Sequence, residues 1–323
     1  MITIVLIAIA AGCASALMFA SMVSGALISV LLLYLAPLPL MVAALGWGPL
    51  CATIGGISAA IGLGALFGLS FCIAFVVGIA LPAWWLGHLA LLGRPTAHPA
   101  SPSNGAAPVT PVLEWYPVGR ILLWTAGFAA LTTMSVLLTL GTDAATITGT
   151  IGRGLMLIWH PDDVSNEETK RAIEALASIA PAAAAVVAMM TLTLNLWLAA
   201  KVTATSGRLQ RPWPDLRSVE LPPMTLAALS VAIAFCFIGG MPAILAQTVT
   251  AALITAYALI GFAVLHTLTL ALRNRAIWLS FTYLIVALFS WLMLAMAALG
   301  LADAVFGLRQ RYLRSRPPPL PAA

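Results

Sequence analysis

From Met1 to Gly93 the chain contains no Asp, Glu, Lys or Arg, and its first formal side-chain charge is Arg94. Such a stretch cannot fold in water. A soluble domain is about 25% charged, because polar groups must meet the solvent. A bilayer removes that demand: a helix crosses it with roughly 20 apolar residues, so this run has room for three or four crossings. The rest of the 323-residue chain is similar, with 62% hydrophobic and 8% charged residues overall. The sequence therefore predicts an all-α fold, a polytopic transmembrane helix bundle. A membrane β-barrel would show alternating polar and apolar residues over about 10-residue strands; these runs are apolar on every side.

Eight spans are expected. Residues 3–35 form one long helix or two short ones, and Pro37, Pro39 and Pro49 bracket a short segment after them. Further spans fall near 49–68, 71–92, 118–140, 176–200, 222–240, 243–271 and 277–302. The N-terminus lacks a basic leader region and more spans follow it, so the first helix is expected to be retained. Residues 1–303 read as a single integral membrane domain, with a flexible Pro/Ser/Ala-rich loop at 95–112 and a charged loop at 141–175. Residues 304–323 read as a basic, proline-rich tail, with "RPPPLP" in polyproline conformation. Cys13, Cys51, Cys72 and Cys236 lie in apolar runs without CxxC or CxxH spacing, as small buried hydrophobes do.

Local patterns add detail. Gly56, Ala60, Gly64 and Gly68 recur every fourth residue and form a small-residue ridge for helix packing. Ser165 and Glu168 have capping-box spacing, which predicts a helix starting near Asn166 and running into the 176–200 span with a kink at Pro181. "HPDD" at 160–163 reads as a solvated turn, and "GTIGRG" at 149–154 lacks the Lys-Ser/Thr ending of a phosphate loop. No metal and no cofactor is expected.

Polar groups inside spans are the best pointers to function, because burying them in lipid is costly. Here they are few. In "LPAWWLGHLALLGR" (81–94), Trp84 and His88 share a helix face, about 15 and 9 Å below Arg94 at 1.5 Å per residue. Asn195, Gln247 and His266 lie in later spans, and Asp303 closes the last, near Arg309. If that ion pair is exposed it contributes little. No span carries an internal lysine or a clear carboxylate, which argues against a proton-coupled pump. HExxH, GxSxG and paired intramembrane carboxylates are all absent, so the chain is not expected to be an enzyme.

Four stretches, "LYLAPLPLMVAALGWG" (33–48), "LPAWWLGHLALLGR" (81–94), "EWYPVGR" (114–120) and "ALGLADAVFGLRQR" (298–311), resemble the YybS-like predicted bacterial membrane proteins, a family of unknown function. That family in turn resembles the substrate-binding S components of energy-coupling-factor transporters. The resemblance implies an S-component-like bundle in the bacterial cytoplasmic (inner) membrane, holding a small-molecule ligand. Since the chain has no ATP-binding motif, energised transport would need a separate ATPase partner. Two functions follow: a solute-binding or transport subunit with a pocket lined by Trp84, His88, Asn195, Gln247 and His266, or a non-transporting scaffold or envelope-assembly subunit. The scaffold would use its amides for helix–helix hydrogen bonds. Apart from the bilayer and such membrane partners, no nucleic acid is expected. Orientation is undecided: with the tail placed opposite the 201–217 loop, Lys and Arg divide 8 to 7 across the membrane. A dense basic terminus suits the anionic inner leaflet and favours a cytoplasmic tail.

Overall fold

Glycine and proline set most of the helix ends. A computed structural model describes residues 2–96, 112–158 and 167–314, which fall into two compact units. "HPDD", Ser165 of the expected capping box, most of the 95–112 loop and the end of the tail lie outside the described residues.

The first unit comprises Met1–Thr125 and Thr191–Trp213. Helix α1 (Ile2–Ala20) passes through a 3-10 turn to Gly25, whose φ of 65° breaks the run before α2 (Leu27–Leu35). Helices α3 (Pro37–Trp47) and α4 (Pro49–Phe67) each begin with a proline, which fits the first turn because its missing N–H would have no intrahelical partner there. Gly48 and Gly68, at φ of 94° and 90°, end α3 and α4 in backbone that L-residues avoid. Helix α5 (Leu69–Phe75) continues through a π turn at Val76–Ala80 into α6 (Leu81–Leu91). A two-stranded ribbon follows, β1 (Gly93–Thr96) antiparallel to β2 (Val112–Trp115), with Arg94 opposite Glu114. Pairing thus reaches into both ends of the loop expected at 95–112. The start of α7 (Val118–Leu140) and the end of α9 (Glu167–Thr205) complete the unit.

Helices α1 and α4 pack closest at two glycines. A Cβ on Gly12 would collide with the Gly55 carbonyl, and one on Gly55 with the Ala8 carbonyl. The ridge singled out in the sequence lies beside this contact. Gly56 faces the Cβ of Ala80 and Gly64 that of Cys72, Ala60 is buried, and Gly68 is the hinge after the helix.

The second unit comprises Ala126–Met190 and Pro214–Ala323. It holds the end of α7, α8 (Ala144–Ile158), the start of α9, α10 (Met224–Phe235), α11 (Gly240–Leu268), α12 (Arg275–Leu288), α13 (Met293–Phe306) and α14 (Leu308–Arg314). Its axis is the antiparallel pair α11–α13. A Cβ on Gly261 would strike the Met296 carbonyl, and one on Gly300 the Tyr257 carbonyl.

Among the described residues, seven helices are long and apolar enough to cross a membrane, and the bent pair Arg275–Leu288 with Ser290–Phe306 brings the number to as many as eight. The number agrees with the sequence reading but the members differ. The 3–35 stretch splits, and the segment from Leu27 to Trp47 becomes a span of its own. The 222–240 stretch yields only the 12-residue α10, because Cys236–Gly239 turns the chain back. The 277–302 stretch bends by 118° rather than running straight. Helix α9 runs unbroken for 39 residues with Pro181 inside it.

Candidate functional site

The residues singled out in the sequence can now be placed. Pro82 lies in the first turn of α6, and the Trp84 ring stacks on His88 with centroids 6.1 Å apart and planes 10° from parallel. Trp85 leans on both and meets Trp124 edge-on at 5.2 Å. This is an aromatic packing cluster with His88 half-buried in it. Asn195 is 1% exposed, and its amide nitrogen donates to the carbonyls of Tyr34 (2.7 Å) and Thr191 (2.8 Å). Tyr34 precedes the Pro37 step, where helical hydrogen bonding is interrupted. Ser15 donates to the Ala36 carbonyl at the same step, at 2.6 Å. Asn195 is therefore a helix–helix bond, its amide nitrogen used and its Oδ1 without a hydrogen bond among the described residues.

In the second unit, Gln247 and His266 both belong to α11, separated by about 28 Å at 1.5 Å per residue, so they cannot share a pocket. Gln247 buries an Oε1 that has no hydrogen-bond partner among the described residues. His266 Nε2 lies 2.7 Å from the Tyr283 hydroxyl, and its Nδ1 lies 3.3 Å from Arg275 Nη2. None of Trp84, His88, Asn195, Gln247 and His266 lines the cavity described next.

That cavity, of about 390 Å³, lies among the segment before α10, the middle of α11, the end of α13 and α14. Its polar lining is Glu220, Tyr257, Asp303, Arg309 and Gln310, and its apolar lining includes Leu226 and Ile260. Local backbone explains the arrangement. Gly307, at φ of 62°, ends α13 and bonds back to the Asp303 carbonyl at 2.8 Å. The turn brings Arg309 over Asp303. One carboxylate oxygen accepts the Arg309 backbone N–H (2.8 Å) and the other accepts Nε–H (2.8 Å) and Nη2–H (2.7 Å). Arg309 Nη1 also donates to the Arg217 carbonyl at 3.1 Å, and Gln310 donates to Glu220 at 3.2 Å. The Tyr257 and Thr225 hydroxyls are 2.7 Å apart.

The side chains of Asp303 and Arg309 are only 6% and 3% exposed. The sequence marked Asp303 and Arg309 as a local pair worth little if exposed. The pair is buried, because the Gly307 turn folds the beginning of the expected tail onto the unit. Sequence reasoning missed Glu220 and Tyr257 altogether. The available signal was the "GLRQR" step after Asp303, a helix-ending glycine with arginine two residues on.

Among the described residues, no three His, Cys, Asp or Glu side chains come together as metal ligands. Residues 160–304, under half of the chain, match the family model described as "Predicted membrane protein (DUF2232)". No curated protein and no solved structure matches. The YybS-like and S-component likenesses therefore stand on the sequence stretches quoted above.

Proposed function

We propose that this integral membrane protein is a solute-binding subunit whose ligand enters the Glu220–Tyr257–Asp303–Arg309 cavity rather than a pocket of Trp84, His88, Asn195, Gln247 and His266. The observation that carries the reading is a buried, hydrogen-bonded carboxylate–guanidinium pair lining a cavity of about 390 Å³. Ligand cavities typically start near 300 Å³ and combine apolar walls with a few fixed polar groups. Ionised residues within membrane-spanning helices are rare and mark solute pathways, and Asp303 lies in the last turn of α13. The neighbouring helices are also interrupted, at Cys236–Gly239 and at Phe289, as in proteins that hold solutes between broken helices. Cavity and wall chemistry suit a small solute carrying both polar and apolar parts. The role is non-catalytic, and energised transport would require a separate ATPase.

The Asn195–Tyr34 bond favours the second reading, a membrane scaffold, since it uses one of the expected ligand-binding amides to tie helices together. Thermal unfolding of the purified protein against a panel of vitamins and metabolites separates the two. The binding reading expects at least one compound to raise the melting temperature. A flat response across the panel favours the scaffold.

A further inference from the structure

The turn between α11 and α12 holds a partly buried cation that lacks a counter-charge among the described residues. Arg275 is half-buried at the start of α12. Its Nη2 reaches the His266 carbonyl at 3.2 Å and His266 Nδ1 at 3.3 Å, while its Nε–H is buried without a hydrogen-bond partner among the described residues. Among the described residues no carboxylate pairs with Arg275 or with Arg273. A guanidinium is always protonated and only donates. His266 Nδ1 is therefore the acceptor, which places the imidazole proton on Nε2, where it donates to the Tyr283 oxygen. Tyr283 keeps its own hydroxyl hydrogen for another acceptor. One cluster thus presents a buried guanidinium N–H and a phenol O–H, both short of an acceptor, with a positive charge between them.

A neutral acceptor would leave that charge uncompensated, and a buried unpaired charge is costly. The missing component is an anion with several oxygens, such as a phosphate. Its source is suggested by the surface next to it. Ile277, Trp278 and Phe281, on the first turns of α12, are 68%, 57% and 54% exposed, an apolar face that begins two residues after Arg275. A free phosphate would gain nothing from that face, whereas an acyl chain would lie along it. Tryptophan and arginine together are typical of headgroup level.

We propose that the Arg275–His266–Tyr283 cluster binds the phosphate of an anionic phospholipid, with the acyl chains along Ile277, Trp278 and Phe281. The test is native mass spectrometry of the full-length protein from detergent, titrated with phosphatidylglycerol, phosphatidylcholine or inorganic phosphate. Wild type should retain phosphatidylglycerol over phosphatidylcholine. Arg275→Gln should lower phosphatidylglycerol occupancy about tenfold, the order expected for losing a charge-assisted hydrogen bond. Arg275→Lys keeps the charge and should fall between the two. Trp278→Ala, at an exposed position, should weaken lipid binding while folding normally, so the proposal stays testable if Arg275→Gln unfolds. Equal retention of the two lipids by wild type, or undiminished phosphatidylglycerol binding in both Arg275→Gln and Trp278→Ala, overturns the proposal. Inorganic phosphate binding that is lost in Arg275→Gln, without a phosphatidylglycerol preference, assigns the site to a free anion and overturns the lipid assignment.

Discussion

At the scale of single residues, four glycines and one asparagine join helices at close range. Gly12 and Gly55 let α1 and α4 touch backbone to backbone, and Gly261 and Gly300 do the same for α11 and α13. Lipid gives helices no hydrophobic reason to associate, so such close approach supplies packing energy directly. Gly261→Ala should therefore destabilise the protein by about 1–3 kcal/mol or more, through overpacking. Gly127→Ala, where an added Cβ meets nothing within 4 Å, should leave stability unchanged or slightly raised. Detergent melting of the two variants checks this, and equal losses would contradict it. Asn195→Ala should cost about 0.6–2 kcal/mol by the same measurement. The sequence marked Asn195 as a buried amide, but its partner Tyr34 is 161 residues away and no local pattern reveals it. It likewise marked the Gly56 ridge and missed Gly55, since spacing alone does not say which face meets which neighbour.

Among elements, the ends matter more than the interiors. Asp143 caps α8, its Oδ1 accepting the Thr146 N–H at 2.9 Å. Bonds to the Thr146 side chain and backbone hold its carboxyl below the ordinary aspartate value of 3.8. A lowered folded-state pKa means that the cap's contribution is present above about pH 3.8 and is lost as pH falls through the folded value. Protection of the amides in the first turn of α8, relative to their intrinsic exchange, should fall in that acid range, and in Asp143→Ala above it; protection independent of both would contradict the cap. The join of α13 to α14 is tighter. Removing one partner of a buried ion pair costs about 3–5 kcal/mol, whereas replacing both with apolar groups of similar volume can be neutral. Asp303→Leu should therefore be strongly destabilising and Asp303→Leu with Arg309→Met much less so, in chemical or thermal unfolding. Additive losses would place the pair in solvent. Helix positions were legible because apolar run length dictates them. The break at Phe289 was not, since neither glycine nor proline marks it, and the fold-back of the tail depends on a single glycine conformation at Gly307.

For the whole molecule, the sequence correctly gave a polytopic helical membrane protein but could not orient it. Orientation turns on whether the last apolar stretch crosses the membrane or folds back, and hydropathy is the same either way. The contact of Arg309 with the Arg217 carbonyl puts the start of the tail beside the segment before α10. A fluorescent-protein fusion after Arg314 should glow in the cytoplasm, as a dense basic terminus beside the anionic inner leaflet predicts, and a dark fusion would contradict it. The central claim concerns the cavity, and it is tested most directly by affinity. For the compound that most stabilises the wild type, dissociation constants should be compared in Glu220→Gln, at the exposed rim of the cavity, and in Glu174→Gln, an exposed carboxylate on α9 outside the cavity lining. The account predicts binding about tenfold weaker in Glu220→Gln and unchanged in Glu174→Gln, since losing one charged hydrogen bond is worth about that factor. Equal affinity in wild type and both variants would contradict it.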